Sequence, residues 1–476
     1  MPYKDLREFI AVLEKQGDAV RVEKEVDANL EVGAITRRVN ETQSPAPFFQ
    51  KIKGYTPEYR IFGSPLATLR RLATALEINP DASYSEILDR VETGWKRQIK
   101  PRVVKDGPCK ENIYVGEDVD LYKLPSPVIH EGDGGPYLGT WGCFATPDLD
   151  SDWQNWGMYR NQVFDKNTLG VYMEGLRHHG LMYYAKYEPR NMAMPFALAI
   201  GPEPICTLAA CTSAATGVSE VDIACGLRGE PVDLIKCETN DLMVPATSEI
   251  VIEGEIPPQE RRLEGPFGEG FGYMTPAARL FPFGRVKAIT HRNNPILTVS
   301  NMGTATDEGD VAYAVNMAIE VRGALLKAGI PITGVYIPTE CCSQLTVVST
   351  KNTFSGIANR IANCIWGSTS NWFARVVVVG EDVDPSDMKE VLHTWMSQCH
   401  PVRGITVMGH ATGTTLQASL SMEDRKVSKG ANVVFDCLFP IEWPAEAIPK
   451  KASFKAVYPK ELQEKVVNGW TEYGFK

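Results

Sequence analysis

The sequence predicts an α+β protein built from three successive units, and three observations predict it. Apolar residues at helical spacing dominate residues 1–110. Short β-type runs punctuated by Gly and Pro fill the middle, and β and α signals alternate after residue 331. A helix repeats its apolar face every 3–4 residues and a strand every second one, so the two patterns separate the element types.

Taken in order, Leu6, Phe9, Ile10 and Leu13 share one face of a helix over 5–16. A strand is expected over 19–22, and helices over 30–40, 65–76 and 84–97. Val103, Val104 and the Gly107-Pro108 turn read as a linker. The middle reads as strands over 139–146, 170–173, 195–200, 233–237, 250–254, 284–291 and 295–299, with helices over 176–186 and 218–227. That spacing fits a β-barrel or sandwich with inserted helices. An amphipathic helix over 311–328 leads to strands at 332–337, 345–349, 376–379 and 404–408 and helices at 354–366 and 385–397. Such alternation implies a layered α/β domain. A last helix over 459–470 follows a proline-rich connection and is expected to dock on another subunit. The expected units are therefore 1–110, 111–305, a linker helix 306–330, and 331–476.

Composition excludes several classes. The 476 residues are 43% hydrophobic, enough for two or three cored domains. The net charge of -10 and the lack of a basic block argue against nucleic acid as a partner. No apolar run approaches the ~18 residues of a membrane helix. The charged start Met1-Pro2-Tyr3-Lys4-Asp5 lacks a signal-peptide core, so a cytoplasmic location is expected. Eleven cysteines without CxxC spacing read as free thiols and argue against a thiolate zinc site.

The densest chemical signal is Glu264-Gly265-Pro266-Phe267-Gly268-Glu269-Gly270. Gly and Pro rule out a regular helix there, so the two carboxylates sit on an irregular loop. Such a loop can give two acids different environments, although a loop of this kind taken alone is most often a solvated turn. Three further features lie in the same segment. Trp153-Gln154-Asn155-Trp156-Gly157-Met158-Tyr159-Arg160 sets an amide and a guanidinium among aromatics. Arg177-His178-His179 concentrates two of the seven histidines. Ser219-Glu220 reads as a helix start, where a first-turn Glu commonly complements the helix dipole. Asn155, His178 and Glu220 together offer oxygen and nitrogen donors that suit Mn²⁺ or Mg²⁺ beside a phosphate.

These residues occur in an order that resembles the UbiD-type decarboxylases, which use prenylated FMN. The resemblance runs from Asn155 and Arg160 through Asp165-Lys166-Asn167, His178, Ser219-Glu220, the block 240–254 and the acidic loop 264–269. It continues through Arg292-Asn293-Asn294-Pro295-Ile296 to Phe435-Asp436. It implies an N-terminal α/β unit, a central split β-barrel of flavin-reductase type that binds the flavin, and a C-terminal α/β domain that dimerises. It implies Asn155, His178 and Glu220 as metal ligands, with K⁺ also admitted, and Arg160, Glu264 and Glu269 as the catalytic set. It also assigns Trp156, Gly157, Met158, Tyr159, Arg160 and Arg177 to the cofactor. The substrate pocket falls on Gly270, Gly309, Tyr313 and Ile405. Gly270 stands where cinnamate-type fungal members carry a bulky residue, which leaves the substrate open.

The implied reaction is reversible, non-oxidative loss of CO₂ from an aromatic, heteroaromatic or α,β-unsaturated acid, with ring acids favoured. The cofactor supplies the electron sink and the protein supplies position and charge. Arg160 is expected to orient the carboxylate and Glu264 to hold Arg160. Glu269 is expected to deliver the proton. The partners implied are a small carboxylic acid, CO₂, a prenyl-FMN synthase that supplies the cofactor, and a second copy of the chain. An FMN-dependent oxidoreductase and a non-catalytic flavin-binding protein are the alternatives. No GxGxxG for a nicotinamide is present, and a mere binding module has no use for Arg160, Glu264 and Glu269 together.

Overall fold

The structure, a computed structural model, describes residues 2–475 apart from 176, 276 and 369–372. The first helix, Leu6–Gln16, begins where Asp5 accepts a hydrogen bond from Glu8 N and ends at Gly17, whose φ is 76°. Its buried face is Leu6, Phe9, Ile10 and Leu13, as the spacing predicts. Ser83 and Glu86 form a reciprocal cap that starts helix Tyr84–Lys96. The N-terminal sheet has four strands in the order Ala19–Val22, Ala46–Phe49, Arg60–Gly63 and Ile296–Val299. The last of these was expected among the strands of the middle segment. It instead runs parallel to Arg60–Gly63, which ties the end of the middle segment to the N-terminal unit.

The middle is an antiparallel sheet of nine strands. Its path runs Tyr137–Leu138, Asn161–Asp165, Thr168–Gly170, Phe283–His291, Ile250–Ile256, Met194–Ile200, Gly142–Pro147, Gln154–Gly157, with Asn112–Val115 also paired to Phe283–His291. Its two end strands are not paired with each other, so the sheet stays open rather than closing into a barrel. The expected strand at 233–237 leaves this sheet: Asp233–Lys236 pairs with Met243–Pro245 and Arg102–Val103. The helix expected over 176–186 forms as His178–Met182 followed by a wider π-helical turn, Tyr183–Tyr187; its expected first residue, Leu176, lies outside the described residues. The expected helix at 218–227 is Glu220–Arg228.

Helix Ala314–Lys327 packs against both Tyr84–Lys96 and Ile357–Ser368. It leads into a five-stranded sheet ordered Ile332–Tyr336, Leu345–Thr350, Arg375–Gly380, Lys429–Asp436, Ile405–Thr412. The three inner strands are parallel and the outer two antiparallel. The inner strand Arg375–Gly380 is apolar along Val376, Val377, Val378 and Val379, as both its faces are covered. The outer strand Ile405–Thr412 is largely exposed. The fold is thus mixed α/β with several units. Among the described residues no helix is long and apolar enough to cross a membrane.

Candidate active site

Arg160 lies in the short connection between strands Gln154–Gly157 and Asn161–Asp165. Its Nε donates to Glu264 Oε1 and its Nη2 to Glu264 Oε2, each at 2.9 Å. Its remaining nitrogen, Nη1, pairs with Glu269 Oε1. The cluster is buried: Glu264 is 1% exposed, Glu269 7% and Arg160 9%. A guanidinium so placed depends on partners, because taking a charge out of water is costly. Burial alone lowers the Arg160 pKa, but the hydrogen bonds and charge of Glu264 outweigh it and the net shift is upward. The guanidinium carbon sits 4.0 Å from the Tyr172 ring centroid and 4.9 Å from that of Phe267, so aromatic faces cover it. Tyr137 donates its hydroxyl to Glu264 Oε1 at 3.0 Å.

The loop carrying the two acids is held at nearly every residue. Gly265 N donates to Gln162 Oε1, Phe267 N to Thr275 Oγ1 and Gly268 N to Asp133 Oδ1. Gly134 N donates to Pro266 O. Gly268 is required by close approach, since a Cβ there would lie 2.4 Å from the His130 ring. His130 in turn bonds Asn301 Oδ1 at 2.7 Å, and Asn301 Nδ2 donates to Gly33 O. The acid loop is therefore braced against the N-terminal unit.

The three expected ligands also converge, although 65 residues separate the first from the last. Asn155 Nδ2 lies 3.2 Å from Glu220 Oε1 and 3.5 Å from His178 Nδ1. Glu220 Oε2 accepts from Trp156 N at 2.9 Å. Glu220 is fully buried, and burial pushes its carboxyl up to about 7 against the bonds it accepts. No ion pair joins it to a cation among the described residues. A buried carboxylate with a side-chain amide and an imidazole beside it is a donor set that a divalent cation satisfies; Asn155 here turns Nδ2 to Glu220 and accepts from Tyr159 on Oδ1, and rotating the amide about its last side-chain bond presents the oxygen instead. No group of three His, Cys, Asp or Glu side chains forms a metal cluster among the described residues, and this set counts only two of those types. Burial and the neighbouring Arg177 charge lower the His178 pKa, which keeps its ring neutral and able to ligate.

A cavity of ≈ 1080 Å³ opens beside both groups. Asn155, Arg160, His178 and Glu269 line it, as do residues 156–159 and Arg177. That volume is ample for a flavin and a small acid together. Gly270, Gly309 and Tyr313 also line the cavity. Ile405 does not line it. It begins the outer strand, 38% exposed, and Met408, Ala411 and Thr412 further along that strand reach the cavity instead. The pocket position expected at Ile405 is corrected accordingly, because a one-strand offset of several residues carries a side chain out of reach.

Spacing did not reveal Tyr172 under Arg160, Tyr137 on Glu264, or the His130–Asp133 brace. The sequence names His179 only as half of a histidine pair; it stacks on Tyr159 with ring centroids 3.5 Å apart and bonds Tyr172 O. Burial pushes His179 down to about 3, so its ring is neutral, and with a carbonyl as partner its Nε2 must carry the proton. Glu174 Oε1 accepts from both Tyr172 and Thr415, so the C-terminal unit touches the ring beneath Arg160 through two hydrogen bonds.

Comparison with known proteins agrees over most of the chain. Models of the 3-octaprenyl-4-hydroxybenzoate carboxy-lyase N-terminal, Rift-related and C-terminal domains match residues 10–91, 102–305 and 312–437. The pyrrole-2-carboxylic acid decarboxylase of Pseudomonas aeruginosa is 33% identical, over 99% of this chain and 98% of its own. The vanillic acid decarboxylase of Sedimentibacter hydroxybenzoicus in closed form superposes with a TM-score of 0.88 at 29% identity, over 99% of each chain. The UbiD-class enzyme HmfF from Pelotomaculum thermopropionicum, in complex with FMN, superposes with a TM-score of 0.84 at 29% identity, over 94% of this chain and 97% of its own. An evolved dimeric form of HmfF in complex with prFMN superposes with a TM-score of 0.81.

Proposed function

The chain belongs to the UbiD family and is a carboxy-lyase, and we propose that it removes CO₂ reversibly from a ring carboxylic acid with prenylated FMN as cofactor. The observation that carries this reading is Arg160 held in a fork by Glu264 and touched on its third nitrogen by Glu269, at the edge of a cavity large enough for a flavin. Prenylated FMN, when bound, supplies the electron sink that an aryl or vinyl carbanion lacks. The chain's own residues do the rest. Arg160 Nη1 receives the substrate carboxylate, and Glu264 keeps the guanidinium from turning. To bind there the substrate displaces Glu269 from Nη1. A buried carboxylate that loses its cation takes up a proton more readily, so Glu269 becomes the acid that protonates the ring carbon once CO₂ has left. The apolar cover from Tyr172 and Phe267 keeps water from Arg160.

Asn155, His178 and Glu220 are proposed to hold Mn²⁺, with Mg²⁺ or K⁺ as alternative occupants, on the flavin phosphate. Residues 156–159 and Arg177 are proposed to line the flavin itself. The open nine-stranded sheet is proposed as a split β-barrel of flavin-reductase type within unit 111–305, flanked by units 1–110 and 331–476 and the helix of 306–330. The outer strand Ile405–Thr412, with Val407 64% and Val402 80% exposed nearby, supports a homodimer through the C-terminal unit. A prenyl-FMN synthase is the proposed cofactor supplier. All eleven cysteines are free thiols, which fits the cytoplasm.

The test is CO₂ release from a panel of benzoic, heteroaromatic and acrylic acids by protein produced alongside a prenyl-FMN synthase. Turnover of ring acids, lost in Arg160→Ala, is the expected result. Release of CO₂ from none of them would refute the proposal.

A further inference from the structure

The wall of the cavity near Gly309 is not apolar. Asp310 lines the cavity and is only 1% exposed. Asp307 N donates to its Oδ2 at 3.1 Å, and among the described residues its Oδ1 makes no hydrogen bond. Two glycines and a methionine set where this carboxyl stands relative to the acid loop. A Cβ added at Gly270 would lie 3.6 Å from Met302 Sδ, and one at Gly309 would lie 3.9 Å from Met302 Cε. Glu269-Gly270 and Gly309-Asp310 therefore flank the same thioether, and both glycines leave the intervening space open. Glu269, the neighbour of Gly270, touches Arg160, so this open space adjoins the Arg160 end of the cavity that Met302 and Asp310 also line.

We propose that Asp310 is a specificity residue that hydrogen-bonds a hydroxyl on the ring, so that the enzyme selects phenolic acids over bare or alkylated rings. The proposal rests on the decarboxylase reading above. The charged groups facing Asp310 are Asp307 and Glu308 of its own segment and Arg37, which lies 3.6 Å from Asp307 Oδ2 and is not paired with Asp310. Burial and then the charge of Asp307 push Asp310 up to about 9. The group presented to the ring is therefore an uncharged acid. Because Oδ2 already accepts from Asp307 N, the proton sits on Oδ1. A phenolic hydroxyl oxygen accepts a hydrogen bond from that Oδ1–H, whereas a methyl group leaves a buried polar atom without a partner.

The experiment measures kcat/KM for CO₂ release and equilibrium binding of the flavin-loaded protein. It compares 3- and 4-hydroxybenzoic acids with the methylbenzoic acids of the same shape. The hydroxy member of at least one pair is expected to lead by on the order of 10- to 100-fold, the range set by an unmet buried hydrogen bond. Asp310→Ala is expected to bring the pair to near parity. Asp310→Asn still accepts from Asp307 N and turns an amide N–H to the cavity, so it should keep the hydroxy member ahead. The ratio is internal to each variant, so a loss of folded protein does not move it. Equal turnover of both members by the unaltered enzyme, or an unchanged ratio in Asp310→Ala, would overturn the role of Asp310 and leave the decarboxylase reading standing. Failure of every acid to release CO₂ would overturn both.

Discussion

Glu264→Gln tests the fork that holds Arg160. Glu264 accepts three hydrogen bonds, two from Arg160 at 2.9 Å and one from Tyr137 at 3.0 Å, at 1% exposure. Gln keeps one acceptor oxygen. Its amide nitrogen replaces the other and points donor to donor at the guanidinium. One charge-assisted bond is lost, about 1.5–3 kcal/mol. Removing one partner of a buried pair costs about 3–5 kcal/mol, because the other charge is left behind. Here Glu269 still touches Nη1, so the lower end, ~3 kcal/mol, is expected. Urea unfolding followed by the fluorescence of the buried Trp141 and Trp156 reads this as a lower midpoint. Tyr137→Phe is the internal control; it removes the hydroxyl that donates to Glu264 and also lies 3.4 Å from Gln162 Oε1 and Pro266 O, about 1 kcal/mol, and leaves the Arg160 fork intact. CO₂ release by Glu264→Gln should fall by on the order of 10²-fold, as a guanidinium without its fork no longer fixes the substrate carboxylate. A midpoint equal to that of Tyr137→Phe together with undiminished CO₂ release would show that the fork neither stabilises the site nor orients the reaction.

Glu269→Gln keeps the shape of the loop and should lower turnover by on the order of 10²-fold, with solvent deuterium incorporation at the former carboxyl carbon falling in step. Near-normal values of both would assign the proton to another group. Glu220→Gln should weaken flavin retention, read as flavin absorbance per protein after gel filtration; full occupancy would remove Glu220 from the proposed ligand set. Glu308 is fully buried, and burial, then Asp307, push its carboxyl up to about 7. A carboxyl whose folded pKa is raised keeps its proton while the unfolded chain releases it. Its contribution to stability is therefore intact below the unfolded value, near 4.3, and is lost as pH rises to about 7. Glu308→Gln, still able to accept from Ser300 Oγ, should remove about 1–3 kcal/mol of that pH dependence. An unchanged slope between pH 5 and 7 in urea midpoints would refute it.

The chain's local patterns determine much of this protein before any fold is built. The face Leu6, Phe9, Ile10 and Leu13 and the cap Ser83–Glu86 are set by neighbours three or four residues apart, so spacing alone announces them. The acidic loop 264–269 is equally local, because Gly and Pro impose an irregular backbone wherever they stand. Asn155, His178 and Glu220 were legible as donor types that suit a divalent cation, and the resemblance names them as one ligand set. Their meeting within 3.5 Å depends on strand Gln154–Gly157 and two helices folding together. Strand Ile296–Val299 reads from sequence like its neighbours, yet it pairs in the N-terminal sheet, because strand pairing is decided by partners far along the chain. The same holds for Ile405, which shares a strand with the cavity-lining Met408 but not its reach. Tyr172 beneath Arg160, Tyr137 on Glu264 and Asp310 across Met302 carry no periodicity or motif at all. Burial selects them: a guanidinium and a carboxyl taken out of water need whichever groups the assembled units bring within a few ångströms, and only the tertiary structure chooses those groups.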